Sequence, residues 1–216
     1  MTYKEAGFRA FYRKFVAVPA KDDLKASIQG FPGSETAEYI LTYGYIDREC
    51  GLTLEVLASA QKTGKGFCFA GADETIRSFI RIGAVAEEEC LCIPDEKGEL
   101  AGRFAGKLEL LHRYDAPEEV EQTRNMDFLD GCRDEQCVDD VLVYLTRDGL
   151  NPEGCWVRID GLGDHRITGI LLNEPVQDFG AHEGGQIAFF VCETEDRQVV
   201  CCSDMNPGRG DAAGDL

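Results

Sequence analysis

From Val138 onward the chain breaks into five short runs rich in β-branched and aromatic residues, and this feature most narrows what it can fold into. The runs cover residues 140–145, 155–159, 166–172, 186–192 and 199–202. Turn-forming sequences separate them: Arg147-Asp148-Gly149, Asn151-Pro152-Glu153-Gly154, Gly161-Leu162-Gly163-Asp164, Glu183-Gly184-Gly185 and Glu195-Asp196-Arg197. Five short strands at this spacing predict a small β-barrel, SH3-like in size. In the second run Cys155, Val157 and Ile159 share one face, and Trp156 and Arg158 the other. Strict alternation would put Trp156 outside. We nevertheless expect it in the core, because small barrels bury residues near their ends from both faces. Its loss should then cost about 3–5 kcal/mol. An outside Trp156 would instead be an aromatic platform for a ligand or peptide.

The first half mixes helical and strand signals. Thr2-Tyr3-Lys4-Glu5 has capping-box spacing. Phe8, Phe11, Tyr12 and Phe15 follow at helical spacing with Arg9, Arg13 and Lys14 between them, which predicts an amphipathic helix packed on its own domain and ending before Pro19. A short helix is expected over 22–29, stopped by Gly30 and Pro32. Residues 38–46 and 52–57 read as a hairpin, 61–66 as a loop and 67–70 as a short buried strand. Asp73 should cap a helix carrying Ile76, Phe79 and Ile80 and closed by Gly83. Two further strands are expected over 90–93 and 103–111. The fold class is therefore α+β: a mixed or antiparallel sheet with helices, followed by a small SH3-like five-stranded β-barrel. We divide the chain into an α+β domain over 1–115, an acidic helix or linker over 116–137, the barrel over 138–205 and a flexible tail over 206–216. Arg209-Gly210-Asp211 in that tail is read as chance.

The chain's 216 residues carry 22 Lys and Arg against 40 Asp and Glu, a net charge of −18. Nucleic acid and anionic membrane are themselves negative, so no binding to either is expected. The acids concentrate: residues 115–140 hold ten against two arginines. Pro117 followed by Glu118, Glu119 and Glu121 suits a first helical turn, where acids complement the dipole. These glutamates form a candidate face for a basic protein partner. Charges interrupt the apolar residues of the N-terminus, so no export signal is read there and a cytoplasmic location is expected. The ten cysteines are then expected to be reduced thiols. Cys90, Cys92, Cys192, Cys201 and Cys202 lie in or beside apolar runs and should act as small hydrophobes. Cys90-x-Cys92 and Cys132-x4-Cys137 are loose pairs without the close spacing of a zinc site. No metal or other cofactor is expected.

Several segments of the last third look familiar: Asp140-Val-Leu-Val-Tyr-Leu, Glu153-Gly-Cys-Trp-Val-Arg-Ile159, Gly169-Ile-Leu-Leu-Asn-Glu-Pro175, Asp178-Phe-Gly and Glu183-Gly-Gly. Together they resemble bacterial small β domains of the domain-of-unknown-function 2314 type and its relatives. Those share a Trp-Val strand, a Gly-x-Leu-x-Asn-x-Pro strand end and a Gly-Asp-x-Val-like strand entry. Here Gly184-Gly185-Gln186-Ile187 lacks the Asp of that entry. The resemblance implies a small β fold and an accessory or toxin-immunity-type role more than an enzymatic one. Residues 1–115 resemble no family.

Two features could carry chemistry. Asn173, Glu174, Asp178 and His182 make the densest polar cluster of the β part, on a loop after a strand, where binding residues are often found. Turn shaping by Asn and Pro is the plainer account of the same residues. Cys68 lies just ahead of an expected helix start, which could activate a thiol. It needs a base, and only His112, His165 and His182 exist, none at a spacing that couples it to Cys68. No phosphate-binding glycine loop or nucleophile elbow is present. The sequence thus favours a non-enzymatic binding protein with a basic protein partner. The alternative is a thiol-dependent hydrolase or transferase using Cys68.

Overall fold

A computed structural model describes residues 1–64, 66–71, 75–163 and 166–206. The expected Asp73 cap, His165 and the Arg209-Gly210-Asp211 run lie outside these residues. The chain forms two compact units, Met1–Asp115 and Ala116–Leu216.

In the first unit the capping box forms as expected: Thr2 Oγ1 accepts from Glu5 N, and Glu5 Oε2 from Thr2 N. The helix it starts, α1 (Tyr3–Ala6), lasts one turn, because Gly7 leaves helical geometry at φ +71°. Phe8 and Phe11 are buried as their spacing suggested, from a 3₁₀ turn, Phe8–Ala10. Phe15 opens a strand, β1 (Phe15–Pro19), and not a fourth helical turn. The long helix is thus overturned: Phe15, Val16, Ala17 and Val18 are all buried, which suits a strand covered on both faces. The expected helix over 22–29 shrinks to a 3₁₀ turn, Lys25–Ile28.

The hairpin forms from β2 (Tyr39–Asp47) and β3 (Gly51–Thr63). The expected loop over 61–66 is mostly strand, since β3 continues to Thr63 and turns into β4 (Gly66–Phe69). β4 is an edge strand with alternating exposure, so the buried strand expected there is corrected too, and Cys68 is exposed. Ile80 lies in a strand, β5 (Phe79–Arg81), opposite Leu54 of β3. The helix expected around it is replaced because the chain gains ladder hydrogen bonds against β3. β6 (Leu91–Ile93) pairs with β1. The strand expected over 103–111 is instead α2 (Glu99–Arg103), α3 (Ala105–Glu109) and a 3₁₀ turn, Leu110–Tyr114. The Asp95 carboxylate accepts from Leu100 N and Ala101 N, which starts this helical stretch. Phe104, Lys107 and Leu111 are then buried at helical spacing. The result is a curled antiparallel sheet ordered β4-β3-β2-β1-β6, with β5 also paired to β3.

In the second unit α4 (Glu118–Arg124) leads through a 3₁₀ turn, Asp127–Cys132, into the barrel. Its strands are β7 (Asp140–Thr146), β8 (Glu153–Leu162), β9 (Ile167–Leu171), β10 (Gln186–Glu193) and β11 (Val199–Asp204). They close in the order β10-β11-β7-β8-β9, with β11 parallel to β7 and the other pairs antiparallel. The expected turn residues Glu153, Gly154, Gly161 and Leu162 belong to β8, whose ladder shifts register between Ile159 and Gly161. Inward residues follow the period of two: Val141, Val143 and Leu145, then Cys155, Val157 and Ile159, then Ile167 and Leu171. Ile187, Phe189 and Cys201 complete the core, with Val120 and Leu129 packed on it.

Trp156 obeys this alternation and is 38% exposed. The expectation of a buried, structural Trp156 is therefore overturned. The strand is paired along its length and the interior is already filled by Cys155, Val157 and Ile159. The acidic stretch is solvated only in part: Glu118 and Glu119 are exposed, but its end is buried. Asp139 is 2% exposed and holds the buried Arg124 through two contacts, Nε to Oδ1 at 2.9 Å and Nη2 to Oδ2 at 2.7 Å. Among the described residues no helix is long and apolar enough to cross a membrane.

Candidate functional site

The outward positions of the barrel make one continuous surface. Across β7 and β8, Leu142 stands opposite Trp156, and Tyr144 opposite Gly154. A side chain at Gly154 would meet Leu142 Cδ1 at 3.3 Å and Tyr144 Cε1 at 3.5 Å, so its absence lets both side chains lie over the strand. On the other side of β8, the Trp156 carbonyl accepts from Leu172 N. On the other side of β7, Tyr144 neighbours Cys202 of β11, which in turn stands opposite Phe190 of β10. Trp156 and Tyr144 are exposed, while Leu142, Leu172 and Phe190 are half-buried. The Asp140–Arg158 pair, with contacts of 2.7 and 2.9 Å, bounds this apolar surface on the strand register next to Trp156. Exposed tryptophans are enriched at the centres of protein interfaces.

The loop after β9 is tied to the strand that carries Trp156. Asn173 Oδ1 accepts from Trp156 N at 2.8 Å, fixing the backbone that carries the indole. Glu174 Oε1 lies 2.7 Å from His182 Nδ1, and its Oε2 accepts from Glu183 N at 2.8 Å. This contact raises the His182 pKa and lowers that of Glu174. Asp178 Oδ1 accepts from Gly180 N at 3.0 Å, a local turn contact. Glu153 accepts from Val176 N at 2.6 Å and Gln177 N at 3.1 Å, and those amides hold its carboxyl below the usual range. Val176 is left 92% exposed at the loop's tip. The structure thus joins Glu174 to His182 and gives Asn173 and Asp178 backbone partners of their own. Glu118 and Glu119 lie exposed on α4, whereas Glu121 is half-buried against Arg124 at 2.8 Å.

Cys68 stands opposite Gln61 on the β3–β4 ladder. His112 and His182 each present Nδ1 to a carboxylate, at Asp115 (2.8 Å) and Glu174. The first unit holds a cleft of about 460 Å³ that sequence reasoning missed, lined among others by Tyr12, Arg13, Tyr43, His112, Tyr114 and Asp115. There Asp115 receives Arg13 Nη2 at 3.1 Å as well as His112, whose pKa is raised by that carboxylate. Residues from three separated segments line it, and no single-segment signal could have gathered them. Among the described residues no group of three or more His, Cys, Asp or Glu is placed to hold a metal ion. No protein-family model, no curated protein and no solved structure matches this chain.

Proposed function

We propose that this protein is a non-enzymatic binding protein that holds a basic protein partner on the outer face of its barrel. The observation that carries the reading is Trp156: an exposed indole on a paired strand, between Leu142 and Leu172, with its backbone amide tied down by Asn173. An aromatic anchor on a rigid strand loses little conformational freedom on binding, which favours affinity. The net charge of −18 supports a cation-rich partner, as do the exposed Glu118 and Glu119. The resemblance of the last third to small β domains, some of them immunity-like, points the same way, and masking of a basic toxin is one form the role could take.

The test is affinity capture from the native cell with the wild-type chain and with Trp156→Ala in parallel, read by mass spectrometry. The expected result is a basic protein enriched by the wild type and lost with the variant, which should stay folded because its indole lies outside the core. An acidic partner, or capture indifferent to Trp156, overturns the reading. The thiol-enzyme alternative has less support, since Cys68 sits on an exposed edge strand opposite Gln61.

A further inference from the structure

Four of the ten thiols gather around β11. Cys201 points inward, where its thiol meets that of Cys132, and both are buried. Cys202 points outward, and its Sγ lies 3.1 Å from Cys192 Sγ on the neighbouring strand β10. Both residues of this outer pair are half-buried, so a small solute can reach them. The partners are not directly opposite each other: Cys202 faces Phe190, and Cys192 faces Val200. They are diagonal neighbours across an antiparallel ladder.

We propose that Cys192 and Cys202 are a redox modification site, forming a reversible disulfide with a low-molecular-weight disulfide as the oxidant. One protein thiol, as thiolate, attacks a sulfur of the small disulfide and expels one small thiol, leaving a mixed disulfide. The second protein thiolate attacks the protein-side sulfur and expels the other small thiol. Two protein thiols are oxidised, one small disulfide is reduced, and the two protons leave on the two small thiols. Either thiol can make the first attack, and the other then resolves the mixed disulfide.

The sulfurs must close from 3.1 Å to the roughly 2.05 Å of a disulfide, a short movement. Both residues are half-buried, so a bridge between them stays within reach of small thiols that reduce it again. It acts as a switch and not as a permanent staple. Cys202 is the register neighbour of Tyr144, so oxidation alters the apolar outer face next to an exposed aromatic. The inference rests on the thiol geometry and does not require the binding reading.

The test uses the intact chain in mixtures of oxidised and reduced glutathione, quenched with an alkylating agent, digested and read by mass spectrometry. Arg197 lies between the two cysteines, so trypsin places them on separate peptides. The expected result is a Cys192–Cys202 cross-link, loss of the free thiols at those two positions, and their return when reduced glutathione is raised. Cys201→Ala, which removes the neighbouring thiol on the same peptide, should leave the cross-link in place, and Cys202→Ser should trap glutathione on Cys192. Three outcomes overturn the proposal: a cross-link through Cys201 or Cys132, a mixed disulfide at Cys192 that never resolves in the wild type, or unmodified Cys192 and Cys202 while exposed Cys50 and Cys68 carry glutathione. The wild-type measurement decides the matter even where a variant fails to fold.

Discussion

Asp139 and Arg124 are each 2% exposed and form a bidentate pair, with Glu121 taking a further Arg124 nitrogen at 2.8 Å. Removing one side of such a pair strands the other charge away from water, a far larger penalty than losing a surface bridge. Asp139→Ala should therefore cost about 3–5 kcal/mol, read by chemical denaturation. Glu121→Gln also touches this pair and would confuse folding with binding, which leaves Glu118 and Glu119 as the cleaner probes of the acidic face. His182 makes the opposite kind of contact, exposed and cheap, but it titrates in an accessible range. Its pKa is raised by Glu174, so the contact is fully present below the ordinary histidine value of about 6.5 and fades as pH rises through the raised one. Glu174 is lowered by His182, so the contact also fades as pH falls through that depressed carboxylate value. The loop after β9 is held best between the two. An NMR titration of the His182 ring should give a midpoint above about 6.5, moving down toward it in Glu174→Gln. A midpoint unmoved by that substitution would show that the two side chains do not pair in solution.

At the scale of elements, β9 shows how one position can fix a strand. Gly169 faces inward in β9, and a Cβ there would lie 2.6 Å from the Arg158 carbonyl oxygen and 2.6 Å from Val157 Cγ1. The close approach of β8 and β9 thus requires glycine. Gly169→Ala should destabilise the barrel by about 1–3 kcal/mol, seen as a lower denaturation midpoint with an unchanged slope. Stability equal to wild type would mean that β8 and β9 can separate freely. The elements that sequence reading missed share a cause. The helical spacing of Phe8, Phe11 and Phe15 was real as a burial pattern, yet Gly7 ended the helix and β2 and β6 recruited Phe15 into a strand. Residues 103–111 looked like a strand because the cap that starts their helical stretch is Asp95, several residues upstream.

Across the whole molecule, the charge of −18 sets a field that speeds encounter with a cationic partner and that salt screens over about 8–10 Å. With a captured partner in hand, the association rate should fall steeply as salt rises, while dissociation changes less. Glu118→Gln with Glu119→Gln should slow association without loss of stability, since both side chains are exposed. Rates indifferent to salt and to both substitutions would remove the acidic helix from recognition and leave it to the apolar barrel face.

The barrel was legible in the sequence because each of its strands carries its own period-two pattern and its own flanking turns, signals that are local. The same pattern placed Trp156 outside, and the structure follows the pattern over the expectation of burial. The polar loop of Asn173, Glu174, Asp178 and His182 was also visible as a cluster, though only the folded chain pairs Glu174 with His182 and ties Asn173 to the Trp156 backbone. What tertiary structure alone decided are matters of long-range pairing. The conversion of Phe15 and Ile80 to strand, the burial of Asp139 with Arg124, the cleft around His112 and Asp115, and the meeting of Cys192 with Cys202 all join residues distant in sequence or set by ladder register. Local propensity is small beside the ladder hydrogen bonds and burial that such pairings bring, so the sequence settled the segments with strong local periods and the fold settled the rest.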